Sequence, residues 1–278
     1  MKTLQFTYEM RTSFEASVWD HHYTLKCIPV NSERQKVEQF TLKIEPAGTY
    51  EWSEDSFHNA MVFGCVPEAH DSFAVAVRGR AVTGLARRET VREPARLGSF
   101  LVQSVYTDPG DGLKQYYETV SCCIGKMERP YDKALSIMEN LGKTFRYCQG
   151  VTNVATTAEE AWKLGCGVCQ DWCHIMLGLC RMAGIPCRYV VGMLTGEGYS
   201  HAWVEIAEEG FWYALDPTNQ IVVEDGHIKI SDGRDYHDCM VARGIFRGGA
   251  VRQSQQIRVA VKEVTEEKRT GRNGEDRG

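Results

Sequence analysis

Nowhere in this 278-residue chain does an apolar run approach the length of a membrane span. The opening stretch, MKTLQFTYEMRTSFEASVWDHH, lacks the apolar core of a secretory signal. Positive charge is also scarce: 32 Lys and Arg stand against 37 Asp and Glu, a net charge of −5. Without a basic footprint, neither nucleic acid nor an anionic membrane is an expected partner. The expected location is the cytoplasm, where thiols stay reduced. That matters because cysteine is abundant: there are 11, an odd count. A disulfide framework is not expected, and most of these thiols should act as small buried hydrophobes. No internal repeat is visible, and the length suits one large or two ordinary domains.

Residues 1–98 carry a β pattern. FTLKI (40–44) and FAVAV (73–77) alternate with period two, and turn clusters such as PAGT (46–49) separate them. An antiparallel β-sandwich or barrel is expected here. The charged segment 86–98 is the expected connection. From residue 99 to 264 the pattern mixes helices and strands. Ala134, Met138, Leu141 and Phe145 share a helix face that opens at Pro130. Thr157 and Glu160 make a capping box. Residues 265–278 contain no apolar side chain and are expected to be disordered.

The chemistry concentrates at GCGVCQDWCHIM, residues 165–176. Cys166 and Cys169 form a C-x-x-C, which could be a redox pair or half a zinc site. A zinc site wants a second pair, but Cys122 and Cys123 are adjacent and Cys148 stands alone in sequence. Cys169 falls near the start of a helix that is apolar around most of its girth. Free backbone N–H groups there stabilise a thiolate and can hold an oxyanion. Cys173 and Cys180 lie on one face of that helix and are expected in the core. Asp171 reads as an N-terminal helix acid and His174 as locally hydrogen-bonded.

A hairpin is expected over residues 201–217. A turn at Glu208–Glu209 would set Glu205 opposite Trp212, Trp203 opposite Ala214 and His201 opposite Asp216. The other face, from Ala202 to Leu215, would be entirely apolar. His201 and Asp216 could then hydrogen-bond, and with Cys169 they would make a nucleophile, base and orienting acid. Trp203 could wall the cleft or simply pack. Tyr147 and Gln149 could supply a second oxyanion donor, but the sequence does not place them. Cys166 could trap Cys169 as a disulfide under oxidation.

Four blocks in order and spacing, GVCQDWCH, RMAGIPCRYVVGML, HAWVEI and WYALDPTN, resemble the transglutaminase-like superfamily. The resemblance is strongest to bacterial transglutaminase-like cysteine proteases with an N-terminal β domain, and TNVATTAEEAW, GRDYHDCMVARGIFRGG and DSFHNAMVF extend it along the chain. It implies an α+β fold in which an N-terminal antiparallel β-sandwich (1–98) precedes a papain-like, transglutaminase-like catalytic domain (99–264). It implies Cys169 as nucleophile, His201 as general base and acid, and Asp216 as orienting acid, with no cofactor and no metal. The substrate would be a peptide or protein carboxamide, opened by hydrolysis or passed to an amine. A non-catalytic binding protein on the same fold is the alternative. Cys173 and Cys187 stand where such sequences often carry alanine, a small-for-small exchange.

Overall fold

Buried and exposed side chains alternate through the N-terminus, with Leu4, Phe6, Tyr8 and Met10 all turned inward. This alternation makes one long strand, β1 (Lys2–Leu25). The computed structural model describes residues 1–264; the segment expected to be disordered, 265–278, lies outside the described residues. After β1 come β2 (Gln35–Glu45), β3 (Thr49–Glu54), β4 (Ala60–Val66), β5 (His70–Thr83) and a short β6 (Glu89–Thr90).

The helical region holds α1 (Asp111–Ile124), α2 (Pro130–Thr144), α3 (Ala158–Leu164) and α4 (Cys169–Met182). Two short strands, β7 (Arg146–Tyr147) and β8 (Cys166–Gly167), pair in parallel before α4. Pro130 stands at the first turn of α2, and Ala134, Met138 and Leu141 are buried along it. The capping box forms: Thr157 accepts from the Glu160 backbone, and Glu160 accepts from the Thr157 backbone. Every α4 residue from Gln170 to Arg181 is buried. Gly184, at a φ of +72°, turns the chain out of that helix before Pro186.

The remaining strands are β9 (Cys187–Leu194), β10 (Gly196–Gly198), β11 (His201–Glu208), β12 (Phe211–Asp216), β13 (Ile221–Val222), β14 (His227–Gly233), β15 (Ala242–Arg247) and β16 (Gln253–Glu263). Six of the sixteen make a sheet of order β13-β12-β11-β9-β14, with β6 against β12. Helix α4 packs on this sheet, and Ile175, Met176 and Leu179 share a core with Ala202, Val204 and Ile206.

The N-terminal strands are antiparallel, as their alternation predicts, but they are not two separate sheets. They join through β1 into one eight-stranded sheet. The first half of β1 lies between β5 and β16. Its register shifts between Ser13 and Val18, and its second half lies between β4 and β15. A bulged strand bends, so a single 24-residue strand serves both halves. Residues 242–263, grouped by sequence with the helical region, therefore pair with the N-terminal strand. Their alternation specifies a strand but not its partner.

The second sheet is tied to the N-terminal region by buried charge. Arg188 and Lys229 meet Glu205 at 2.6 and 3.0 Å and Asp232 at 2.9 and 2.7 Å. Glu89 and Arg34 reach in from the N-terminal side. Three cations and three carboxylates thus neutralise one another, which is what burial of such groups requires.

Candidate active site

The start of α4 is built from three local features. Gly165, at a φ of +69°, ends α3 in the left-handed conformation. The parallel β7–β8 pair then holds residues 146–147 beside 166–167. Asp171 Oδ2 accepts from the Val168 N–H at 2.7 Å and from the Thr152 hydroxyl at 2.7 Å. Gly167 permits this approach, because a Cβ there would lie 2.4 Å from Asp171 Oδ2. Asp171 is thus an N-terminal helix acid, as its position predicts. Its carboxyl is nonetheless pushed up, since burial outweighs the hydrogen bonds from Thr152 and Val168. Cys169 is the first residue of the helix and is half-buried. The N–H groups of Cys169 and Gln170 are in the first turn and have no intrahelical acceptor.

The β11–β12 hairpin turns one residue later than expected, which moves every opposed partner by two. Glu208 opposes Phe211 and Val204 opposes Leu215. The turn is Glu209–Gly210, with φ of +50° and +81°. A two-residue hairpin turn of this kind needs positive φ at both positions, and Gly210 supplies one at no steric cost. A shift of two keeps every side chain on its predicted face. His201 and Asp216 become diagonal rather than directly opposed neighbours, and they still meet: His201 Nε2 donates to Asp216 Oδ2 at 2.7 Å.

Asp216 is fully buried and saturated with donors. Its Oδ1 accepts from the backbone N–H groups of Thr218 (3.0 Å) and Asn219 (3.1 Å). Its Oδ2 accepts from the Asn219 side chain at 2.7 Å and from His227 Nε2 at 3.1 Å, besides His201. Burial alone would raise this carboxyl, but the two imidazoles and Asn219 hold it well below the ordinary carboxylate range. For His201 burial again opposes charge. Hydrogen bonding and charge from Asp216 and from Cys169 prevail, and the imidazole is pushed up to about 10. Cys169 is thus a near neighbour of the ring. With Nε2 engaged by Asp216, Nδ1 is the nitrogen left for the thiol.

The other candidates fall in different places. Trp203 is 2% exposed and packs with Val190, Ala214 and Val223, so it is core rather than cleft wall. His174 is fully buried between Tyr106 and Tyr189, and its Nε2 accepts from the Tyr236 N–H at 3.3 Å. Tyr147 and Gln149 are exposed and bonded to each other at 3.2 Å. Cys173, Cys180 and Cys187 are core thiols. Cys148 does not stand alone: the β7–β8 pairing brings it beside Cys166, whose thiol is pushed up chiefly by that neighbour. His227 was not legible as a site residue. It lies on β14, whose strand pattern gives no sign that its first residue reaches Asp216. His201, Asp216 and His227 set three ligand atoms within 4.8 Å of one another, so they are the side chains that could also receive a divalent cation.

Residues 118–217 match the model of the transglutaminase-like superfamily, and residues 4–82 match that of the bacterial transglutaminase-like N-terminal region. An uncharacterized protein of Mycobacterium leprae (strain TN) is 39% identical over 112 residues, which is 37% of this chain and 40% of that relative. An uncharacterized protein of Mycobacterium tuberculosis (strain ATCC 25618 / H37Rv) is 27% identical over 253 residues, covering 78% of this chain and 79% of the relative. Among solved structures, the "Putative Cysteine Protease from Cytophaga hutchinsonii" superposes with a TM-score of 0.77 over 95% of this chain and 91% of that one. Its identity of 22% makes this a likeness of fold.

Proposed function

The chain belongs to the transglutaminase-like superfamily, and from that premise we propose that it is a cysteine-dependent acyl-transfer enzyme, a peptidase or amidase with Cys169 as nucleophile. The observation that supports this reading is the 2.7 Å bond between His201 Nε2 and the buried Asp216 Oδ2, with Cys169 among the groups that raise the imidazole. The saturated carboxylate fixes the imidazole and favours its charged form. The helix start adds positive electrostatic potential at Cys169.

In the first step the Cys169 sulfur attacks the carbonyl carbon of a carboxamide, and the carbonyl π pair moves onto oxygen. The first-turn N–H groups, Cys169 and Gln170, would hold that oxyanion. As the intermediate collapses, the C–N bond breaks and His201 gives its proton to the departing amine, leaving a thioester. A water molecule, deprotonated by His201, then attacks the thioester and releases a carboxylic acid and the thiolate. An amine in place of water would yield a new amide by the same residues. Hydrolysis is the outcome that the resemblance to bacterial cysteine proteases favours.

The test is site-resolved iodoacetamide labelling, read by mass spectrometry because Cys122 and Cys123 are also exposed. Cys169 should alkylate faster than those two at neutral pH. Cys169→Ala should abolish the fast phase and all turnover of a peptide and isopeptide library, assayed with and without an acceptor amine. If Cys169→Ala shows the same fast labelling as wild type, the nucleophile is not Cys169. A fast thiol with no turnover of any library member would favour a non-catalytic binding protein.

A further inference from the structure

The reaction above uses one imidazole, yet Asp216 serves two. His227 Nε2 lies 3.1 Å from Asp216 Oδ2, the oxygen that also takes His201 Nε2 at 2.7 Å. An ionised carboxylate only accepts, so both nitrogens must present N–H groups to it. The two rings sit at a centroid distance of 5.8 Å, and His227 meets Trp203 edge-on at 5.2 Å.

The surroundings of the two rings differ. The charged groups that act most on His227 are Asp216 on β12, His201 on β11 and Arg34 from the segment before β2, and Glu89, Glu205, Glu224 and Lys229 line the cavity beside it. Burial, aided by the charges of His201 and Arg34, lowers the proton affinity of His227 against the pull of Asp216. A neutral ring that donates from Nε2 must leave Nδ1 bare. That atom is buried and has no hydrogen-bond partner among the described residues. Trp203 Nε1 is buried and unpartnered as well. Both residues line a cavity of about 20 Å³, bounded also by Arg34 and Glu205. One water needs roughly 10–15 Å³ of such space and two or more polar partners. A water donating to Nδ1 and accepting from the indole N–H would hold His227 in the tautomer that donates to Asp216.

We infer that His227 is a positioning residue for the reaction proposed above: as a second, fixed Nε2–H donor it locks the Asp216 carboxylate in the orientation from which it holds His201. The inference rests on that reaction reading. Asp216 sits at the end of β12, where the chain turns at Pro217, so side-chain rotation is checked chiefly by its donors. The backbone N–H groups of Thr218 and Asn219 grip Oδ1, while the Asn219 side chain and His227 join His201 on Oδ2; of these added donors, His227 alone brings a rigid ring from another strand.

The experiment compares wild type, His227→Phe and His227→Gln by site-resolved alkylation of Cys169 and by thermal unfolding. Phenylalanine keeps a ring against Trp203 but has no donor; glutamine keeps an N–H donor at similar reach but loses the ring. Phe should slow Cys169 labelling by roughly tenfold, the lower end of what a hydrogen bond to a charged group is worth. Gln should restore most of the rate even if it melts earlier. Wild-type labelling in the Phe variant would overturn the inference, and so would equal slowing in both variants in step with their loss of Tm, which would mean packing alone. Stoichiometric metal on His201, Asp216 and His227 in purified protein would overturn it too. If wild-type Cys169 reacts no faster than Cys122, the reaction reading fails on its own. The ¹⁵N shifts of the His227 ring then decide the remaining point: a protonated Nε2 and bare Nδ1 are expected, and the opposite tautomer would overturn the inference.

Discussion

His174 and His201 are both buried imidazoles, and their neighbours push them in opposite directions. Burial, with the charge of Arg181, lowers His174 to about 3, whereas Asp216 and Cys169 raise His201 to about 10 against the effect of burial. His201 therefore adds stability that is complete below its unfolded value near 6.5 and is lost as pH rises through about 10. His174 does the reverse. It is neutral in the fold, so stability is lost as pH falls from about 6.5 towards 3, at up to ~1.4 kcal/mol per pH unit. His174→Gln, which keeps an acceptor for the Tyr236 N–H, should flatten the fall of Tm between pH 6.5 and 4.5, measured by calorimetry. An unchanged slope would mean that another group, such as His21 (lowered to about 4), dominates the acid limb. The meeting of His201 and Asp216 was legible because alternation along two strands dictates a shared face. His227 was not, because it reaches Asp216 from a strand that pairs with β9, and no periodicity links the two.

At the scale of elements, the parity of a hairpin proved easier to derive than its turn. The apolar row from Ala202 to Leu215 dictates which side chains face α4, while Gly210 decides where the chain reverses. A turn one residue later moves partners by two and costs nothing in facing; moving them by one would have set Asp216 on the face opposite His201. The head of α4 is less forgiving. Gly167 lets Asp171 reach back to Val168, and that contact sets where Cys169 begins the helix. Gly167→Ala would drive a methyl into the carboxylate. It should destabilise the fold by about 1–3 kcal/mol, the range for overpacking a tight site, and slow Cys169 labelling at the same time. Urea denaturation and the labelling rate check this together; an unchanged rate in a destabilised protein would mean that Asp171 supports the helix without aiming the thiol. The β7–β8 pair escaped the sequence because two-residue strands carry no period, and so did the proximity of Cys148 to Cys166.

At the scale of the whole molecule, the α+β character and the helical site region were visible in composition and period, but the exchange of strands between the two ends was not. The partners in the β1–β16 ladder, such as Leu4 and Glu263, leave no local trace of one another. The exchange reaches the site. β10 pairs with β16 and ends three residues before His201, so the N-terminal sheet holds the segment that delivers the imidazole. Residues 99–264 produced alone should therefore show no cooperative unfolding transition, since Val259 and Val261 would lose the β1 strand they are paired with. A sharp melt with fast Cys169 labelling in that fragment would refute the dependence. The same ladder orders events in time. Chains leave the ribosome at about 5–20 residues per second, so β1 emerges roughly ten to fifty seconds before β16. For that interval the first strand has one edge unclaimed, and it is the nascent chain, not the finished protein, that must be kept from pairing with a neighbour.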